Sequence, residues 1–90
     1  MKTHLKIHIK GHVQAVAFRY HARLRADKLK LKGIIKNNPD GSVYAEVEGS
    51  LKNLESFVKW CHQGPKHAVV DSVEVKKGRL KKYQKFEIIR

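Results

Sequence analysis

The chain has a single cysteine, Cys61, in 90 residues. It cannot close an internal disulfide, and a reducing cytoplasm is the expected location. No apolar run approaches the roughly 18 residues of a membrane-spanning helix, so no membrane partner is expected. The opening Met1-Lys2-Thr3-His4 leads into a strand pattern without an apolar signal segment. No linker, internal repeat or low-complexity tract divides the sequence, so residues 1–90 are read as one domain with one modest core, working as a monomer. Acidic residues are scarce: 8 Asp and Glu stand against 20 Lys and Arg, for a formal net charge of +12. Such a charge attracts anions and confers non-specific affinity for nucleic acid without naming a partner. Missing too is any carboxylate cluster or His/Cys constellation for a metal, and no cofactor is expected. His4, His8 and His12 would follow each other at about 13 Å along an extended strand, too far apart to share an ion.

What is present is periodicity. Leu5, Ile7 and Ile9 alternate with Lys6, His8 and Lys10, the pattern of a half-buried strand. From Phe18 to about Leu31, Phe18, Ala22, Ala26 and Leu29 recur at the spacing of a helix face, turning Tyr20, His21, Arg23, Arg25, Lys28 and Lys30 to water. Gly33 to Asn37 reads as a short strand, and Asn38-Pro39-Asp40-Gly41 as a turn. Val43, Ala45 and Val47, alternating with Tyr44, Glu46 and Glu48, complete a hairpin. Ser50 caps a second helix with the stripe Leu51, Leu54, Phe57, Val58 and Cys61, which Gly64-Pro65 stops. Val69 to Val75 reads as a strand with Asp71, Val73 and Val75 of one parity. The basic connection Lys76 to Lys82 leads to a last strand from Tyr83 to Ile89. Two helices that bury their stripes on one face of an antiparallel sheet give an α+β two-layer sandwich of ferredoxin-like βαββαβ type.

One stretch organises the rest. Gly11-His12-Val13-Gln14-Ala15-Val16-Ala17-Phe18-Arg19 joins the first strand to the first helix. A strand that passes through a small-residue loop into a helix leaves backbone N–H groups pointing into that loop, with the positive end of the helix dipole behind them. The amides of Gln14, Ala15, Val16, Ala17, Phe18 and Arg19 would therefore suit a phosphate or carboxylate. Arg19 adds a planar five-donor fork to the same anion. Gln14 is expected to contribute only through its backbone. His12 and His21 stand near the loop in sequence and read equally well as surface histidines, and Cys61 reads as a small core filler.

The stretch resembles the acylphosphatase signature, Gly-x-Val-Gln-Gly-Val-x-Phe-Arg, which Gly11, Val13, Gln14, Val16, Phe18 and Arg19 match. The resemblance continues through Gly33 to Asn37 with Asp40-Gly41, then Gly49, Gly64-Pro65 with Ala68-Val69, and the closing Phe86-Glu87-Ile88. It implies a metal-independent hydrolase that cleaves the carboxyl–phosphate bond of acyl phosphates, with inorganic phosphate as product and ligand. Arg19 would hold the phosphoryl group and Asn37 would orient the attacking water, with no covalent enzyme intermediate. A carboxylate leaving group, whose conjugate acid has a pKa near 4, needs no general acid.

Four positions depart from the family pattern. Ala15 stands where the family usually has Gly, Ala17 where Gly is common, Lys30 where Gly and Ile34 where Trp are frequent. If the loop needs a positive φ at Ala15, the methyl costs on the order of 1 kcal/mol or tilts an amide off the anion, lowering the rate. Two other readings compete. One is a catalytically weak anion-binding member of the same fold. The other is a basic RNA-binding module, disfavoured because the central strands offer only Tyr44 for base stacking, beside Glu46 and Glu48; no specific nucleic acid is expected.

Overall fold

Each alternating segment needs a cover for its apolar side, and the two helical stripes supply it. The computed structural model describes residues 2–90. Its elements are β1 (Thr3–His12), α1 (Phe18–Lys28), β2 (Lys32–Asn37), β3 (Val43–Gly49), α2 (Leu51–Gln63), β4 (Val69–Gly78) and β5 (Phe86–Ile89). The strands form one sheet in the order β4-β1-β3-β2-β5. Leu5, Ile7, Ile9, Ile35, Val43, Ala45 and Val47 meet Phe18, Ala22, Ala26, Leu54, Phe57 and Cys61 in one buried core between sheet and helices. This is the ferredoxin-like two-layer sandwich that the periodicity implies.

The sheet is mixed rather than wholly antiparallel. β1 pairs antiparallel with β3 and β4, and β2 antiparallel with β3, but β5 runs parallel to β2. The cause lies in residues 79–85. β4 ends opposite His4, at the sheet edge where β2 begins, and β5 starts beside Gly33 on β2. A strap along that edge can only deliver β5 in the direction of β2. The last strand accordingly begins at Phe86 rather than Tyr83, because the Lys81 and Tyr83 amides donate to the Glu48 carboxylate instead of a ladder.

Two other boundaries move for local reasons. The register of β1 against β4 shifts between Lys10 and Gly11, so Ser72 and Val70 are successive partners and Asp71 is skipped. This bulge reverses the parity: Val73 and Val70 pack on the core, while Asp71 is exposed. Gly11 is obligatory there, since its φ is 134° and a Cβ would lie 2.1 Å from the Val69 carbonyl oxygen. Helix α1 stops at Lys28 in a Schellman turn, with Leu31 N–H bonded to Ala26 O and Lys30 N–H to Asp27 O. Lys30 takes the left-handed position at φ 58°.

The face away from the helices holds a buried polar cluster that alternation alone assigns to water. His4, Glu48 and Glu46 are 1%, 4% and 7% exposed. His4 Nδ1 donates to Glu48 at 2.6 Å, while Glu46 Oε1 lies 3.0 Å from Nε2 but outside hydrogen-bonding geometry. Lys81 Nζ reaches Glu46 at 2.8 Å, and the hydroxyls of Tyr44 and Tyr83 donate to it at 2.9 and 3.2 Å. Tyr83 also stacks on the His4 ring. Burial pushes the Glu46 carboxyl up, but Lys81 and the two hydroxyls outweigh it and hold it at about 2. Burial, then the Glu46 hydrogen bond, lifts the Tyr44 hydroxyl to about 12.

A carboxyl held below its usual value stabilises the fold above its unfolded-state pKa, and that contribution is lost as pH falls through the folded-state one. Stability should therefore decline from about pH 4.5 to about pH 2 as Glu46 is protonated. Glu46→Gln is expected to cost on the order of 2 kcal/mol at neutral pH and to flatten this decline. Urea unfolding from pH 2 to 7 checks it, and an acid slope identical to the parent's would contradict it.

Candidate active site

Because β1, β2 and β5 run the same way, their C-terminal ends meet at one sheet edge. There lie the loop of residues 13–17, Asn37, and the run Ile88 to Arg90. Buried Val13 and Phe18 pin the two ends of the loop into the core. Between them Ala15 and Ala17 sit at φ 59° and 60°, in left-handed backbone. Ala17 is also the N-cap of α1; it offers no side-chain cap, and the first turn contains no acid. The N–H groups of Gln14 to Tyr20 have no protein acceptor among the described residues. Left-handed kinks that turn successive amides one way, ahead of a helix N-terminus, form an anion-binding concavity.

Gln14 does more than its backbone contribution. Its Nε2 donates to the carbonyls of Asn38 and Ser42, both at 2.8 Å, and so bolts the loop to the β2–β3 turn. That turn is rigid in its own right. Asn38 N–H donates to Ser42 O, and the Ser42 N–H and hydroxyl donate to Asp40 at 2.9 and 2.5 Å. His8 Nε2 lies 2.7 Å from the Ser42 hydroxyl, linking β1 to the same turn. Asn38 is turn chemistry, as its sequence context indicates. Asn37, just before it, closes β2 opposite Val43. Its Oδ1 is buried and has no hydrogen-bond partner among the described residues.

Arg19, half-buried on the first turn of α1, lines a cleft of about 300 Å³ together with Ala15 and Ala17. One of its terminal nitrogens donates to the Ile89 carbonyl at 3.4 Å, so β5 helps to orient it. Asn37 does not line this cleft. It stands at the same sheet edge, under the turn that Gln14 grips. Arg23, Arg90 and Ile88 do line it, and sequence reading placed none of them at the site. Arg23 was findable, since it follows Arg19 by four residues on one helix face. Arg90 was not, because only the parallel pairing of β5 brings it there.

The remaining candidates lie elsewhere. His21 faces a separate groove with Leu24, Arg25 and Trp60. Cys61 is fully buried on α2, and burial pushes its thiol up, away from any nucleophilic role. No group of three His, Cys, Asp or Glu side chains is placed to hold a metal ion among the described residues. The strap of residues 79–85 is pinned across the face on which an RNA-recognition module would stack bases, and Tyr44 is bonded to Glu46.

Left-handed alanine costs about 1 kcal/mol against glycine, less the extra unfolded-state entropy of glycine. Ala15→Gly should stabilise the fold by about 0.5 kcal/mol and raise turnover of a simple acyl phosphate several-fold. Lys30→Gly relieves a similar dihedral far from the loop, so it should give a similar gain with no change in rate. Denaturant midpoints and initial rates of both variants check this. A rate unaffected by Ala15→Gly would show that the methyl does not disturb the amides.

Comparison with known proteins agrees with this fold. The sequence model of the acylphosphatase family matches residues 5–88. The chain is 43% identical over 84 residues to an acylphosphatase of Archaeoglobus fulgidus, covering 93% of this chain and 94% of that one. It is 44% identical over 78 residues to an acylphosphatase of a Nocardioides species, covering 87% of this chain and 79% of that one. The crystal structure of acylphosphatase from Bacillus subtilis superimposes with a TM-score of 0.95 at 36% identity, covering the whole of both chains.

Proposed function

The chain belongs to the acylphosphatase family and is a hydrolase of acyl phosphates, and we propose that the loop amides, Arg19 and Asn37 divide that reaction among them. The amides of Gln14 to Arg19 and the Arg19 guanidinium hold the phosphoryl oxygens and offset charge as it redistributes. The Asn37 carboxamide orients water for in-line attack. The water oxygen bonds to phosphorus as the bond to the carboxylate oxygen breaks. The carboxylate leaves with the electron pair, and the water protons pass to phosphate and solvent. A leaving group this weakly basic needs no acid to expel it, which fits a site without a titrating side chain.

One observation carries the reading: a run of unpaired amides, held in left-handed backbone at a helix N-terminus, opens beside the Arg19 side chain. The buried, unpartnered Asn37 Oδ1 supports its role, because a lone acceptor at that edge can accept a hydrogen bond from the attacking water. Neither the silent anion binder nor the RNA module is supported. Residues 1–90 are taken as one domain acting as a monomer in the cytoplasm, in keeping with a single core and a reduced, buried Cys61.

Arg19→Ala is expected to lower kcat/KM for an aromatic acyl phosphate by about 10²- to 10³-fold and to abolish competition by inorganic phosphate. Asn37→Ala should lose a similar factor in kcat and keep that competition. Metal-free assays with circular dichroism as a fold control test both. Undiminished turnover by either variant would remove that residue from its role.

A further inference from the structure

The cleft beside the loop carries more positive charge than one phosphoryl group calls for. Arg19, Arg23 and Arg90 all line it, and no Asp or Glu does. None of the three forms an ion pair among the described residues. A phosphoryl dianion is already met by the loop amides and Arg19. Two arginines, Arg23 and Arg90, remain unassigned.

Their placement is specific. Arg23 follows Arg19 by four residues on α1, which separates the two side chains by one turn, about 6 Å along the axis. It is half-buried, and its guanidinium carbon lies 5.8 Å from the centroid of the Tyr20 ring, a contact that holds the fork in place. Ile88 of β5 gives the same cleft an apolar wall. A planar fork at that distance from the phosphoryl site matches a planar, two-oxygen anion. We propose that this part of the cleft is an acyl-group subsite for a carboxylate. The favoured substrates are then mono-acyl phosphates of short dicarboxylic acids with a two-methylene spacer, in which phosphorus and the free carboxyl carbon lie about one helical turn apart. The free carboxylate pairs with Arg23, Arg90 adds to the field, and the methylenes lie along Ile88. The assignment rests on Arg19 holding the phosphoryl group.

The test compares succinyl phosphate with butyryl phosphate, which has a methyl group in place of the free carboxylate. The parent's kcat/KM is expected to favour succinyl phosphate by roughly tenfold, the scale of one partly exposed charge-assisted contact. Arg23→Gln should bring that ratio close to one, and Arg23→Glu below it. Lys82→Gln removes the same charge from the distant strap and should move the ratio less than twofold, which separates a local contact from the general field of a +12 chain. An equal ratio in the parent and Arg23→Gln, with both substrates turned over, overturns the subsite and leaves the roles of Arg19 and Asn37 standing. So does an equal fall in Lys82→Gln. Hydrolysis of neither substrate by the parent overturns both readings together.

Discussion

Two hydrogen bonds from the Gln14 carboxamide hold the loop to the turn after β2, and the geometry of the site depends on them. A five-residue loop with two left-handed alanines has little intrinsic reason to keep one shape. Buried Val13 and Phe18 fix where it starts and ends, and Gln14 fixes its first half against the carbonyls of Asn38 and Ser42. The same grip ties it to the residue that follows Asn37. Amides and carboxamide therefore sit on one rigid unit, which is what in-line displacement requires when positioning and electrostatics supply the catalysis.

The opposite face of the sheet acts on the site at a distance. Glu48 and Glu46 capture the strap of residues 79–85, and the strap sends β5 up beside β2. That pairing sets the Ile89 carbonyl against Arg19 and brings Arg90 to the cleft. A buried carboxylate is costly unless its oxygens are satisfied. Here His4, two backbone amides, Lys81 and two tyrosine hydroxyls meet that requirement.

Among the described residues, backbone strain is confined to a few places. Ala15, Ala17, Lys30 and Lys82 adopt φ near 60°. Two of these four residues lie in the loop between β1 and α1, where left-handed backbone turns the amides outward. At Lys30 the same dihedral closes a Schellman turn whose carbonyls need capping however poorly lysine fits. One strained conformation thus serves two ends, turning amides outward at the start of α1 and terminating the helix at its finish.

Much of this was legible in the order of residues. Alternation in β1 and β3 and the stripes of α1 and α2 determined the elements and their buried faces, because burial follows period 2 in strands and 3.6 in helices. The strand-to-helix loop with Arg19 and the turn after Asn37 were local patterns and could be read as such. Only the tertiary structure decided the rest: the reach of Gln14 to the far turn, the parity switch at Asp71, the burial of His4 with Glu46 and Glu48, and the direction of β5. Those features join residues distant along the chain, and no local period reports them. Alternation states which side a residue faces but not what will later cross that side, and here a strap of seven residues made a water-facing row into a second interior.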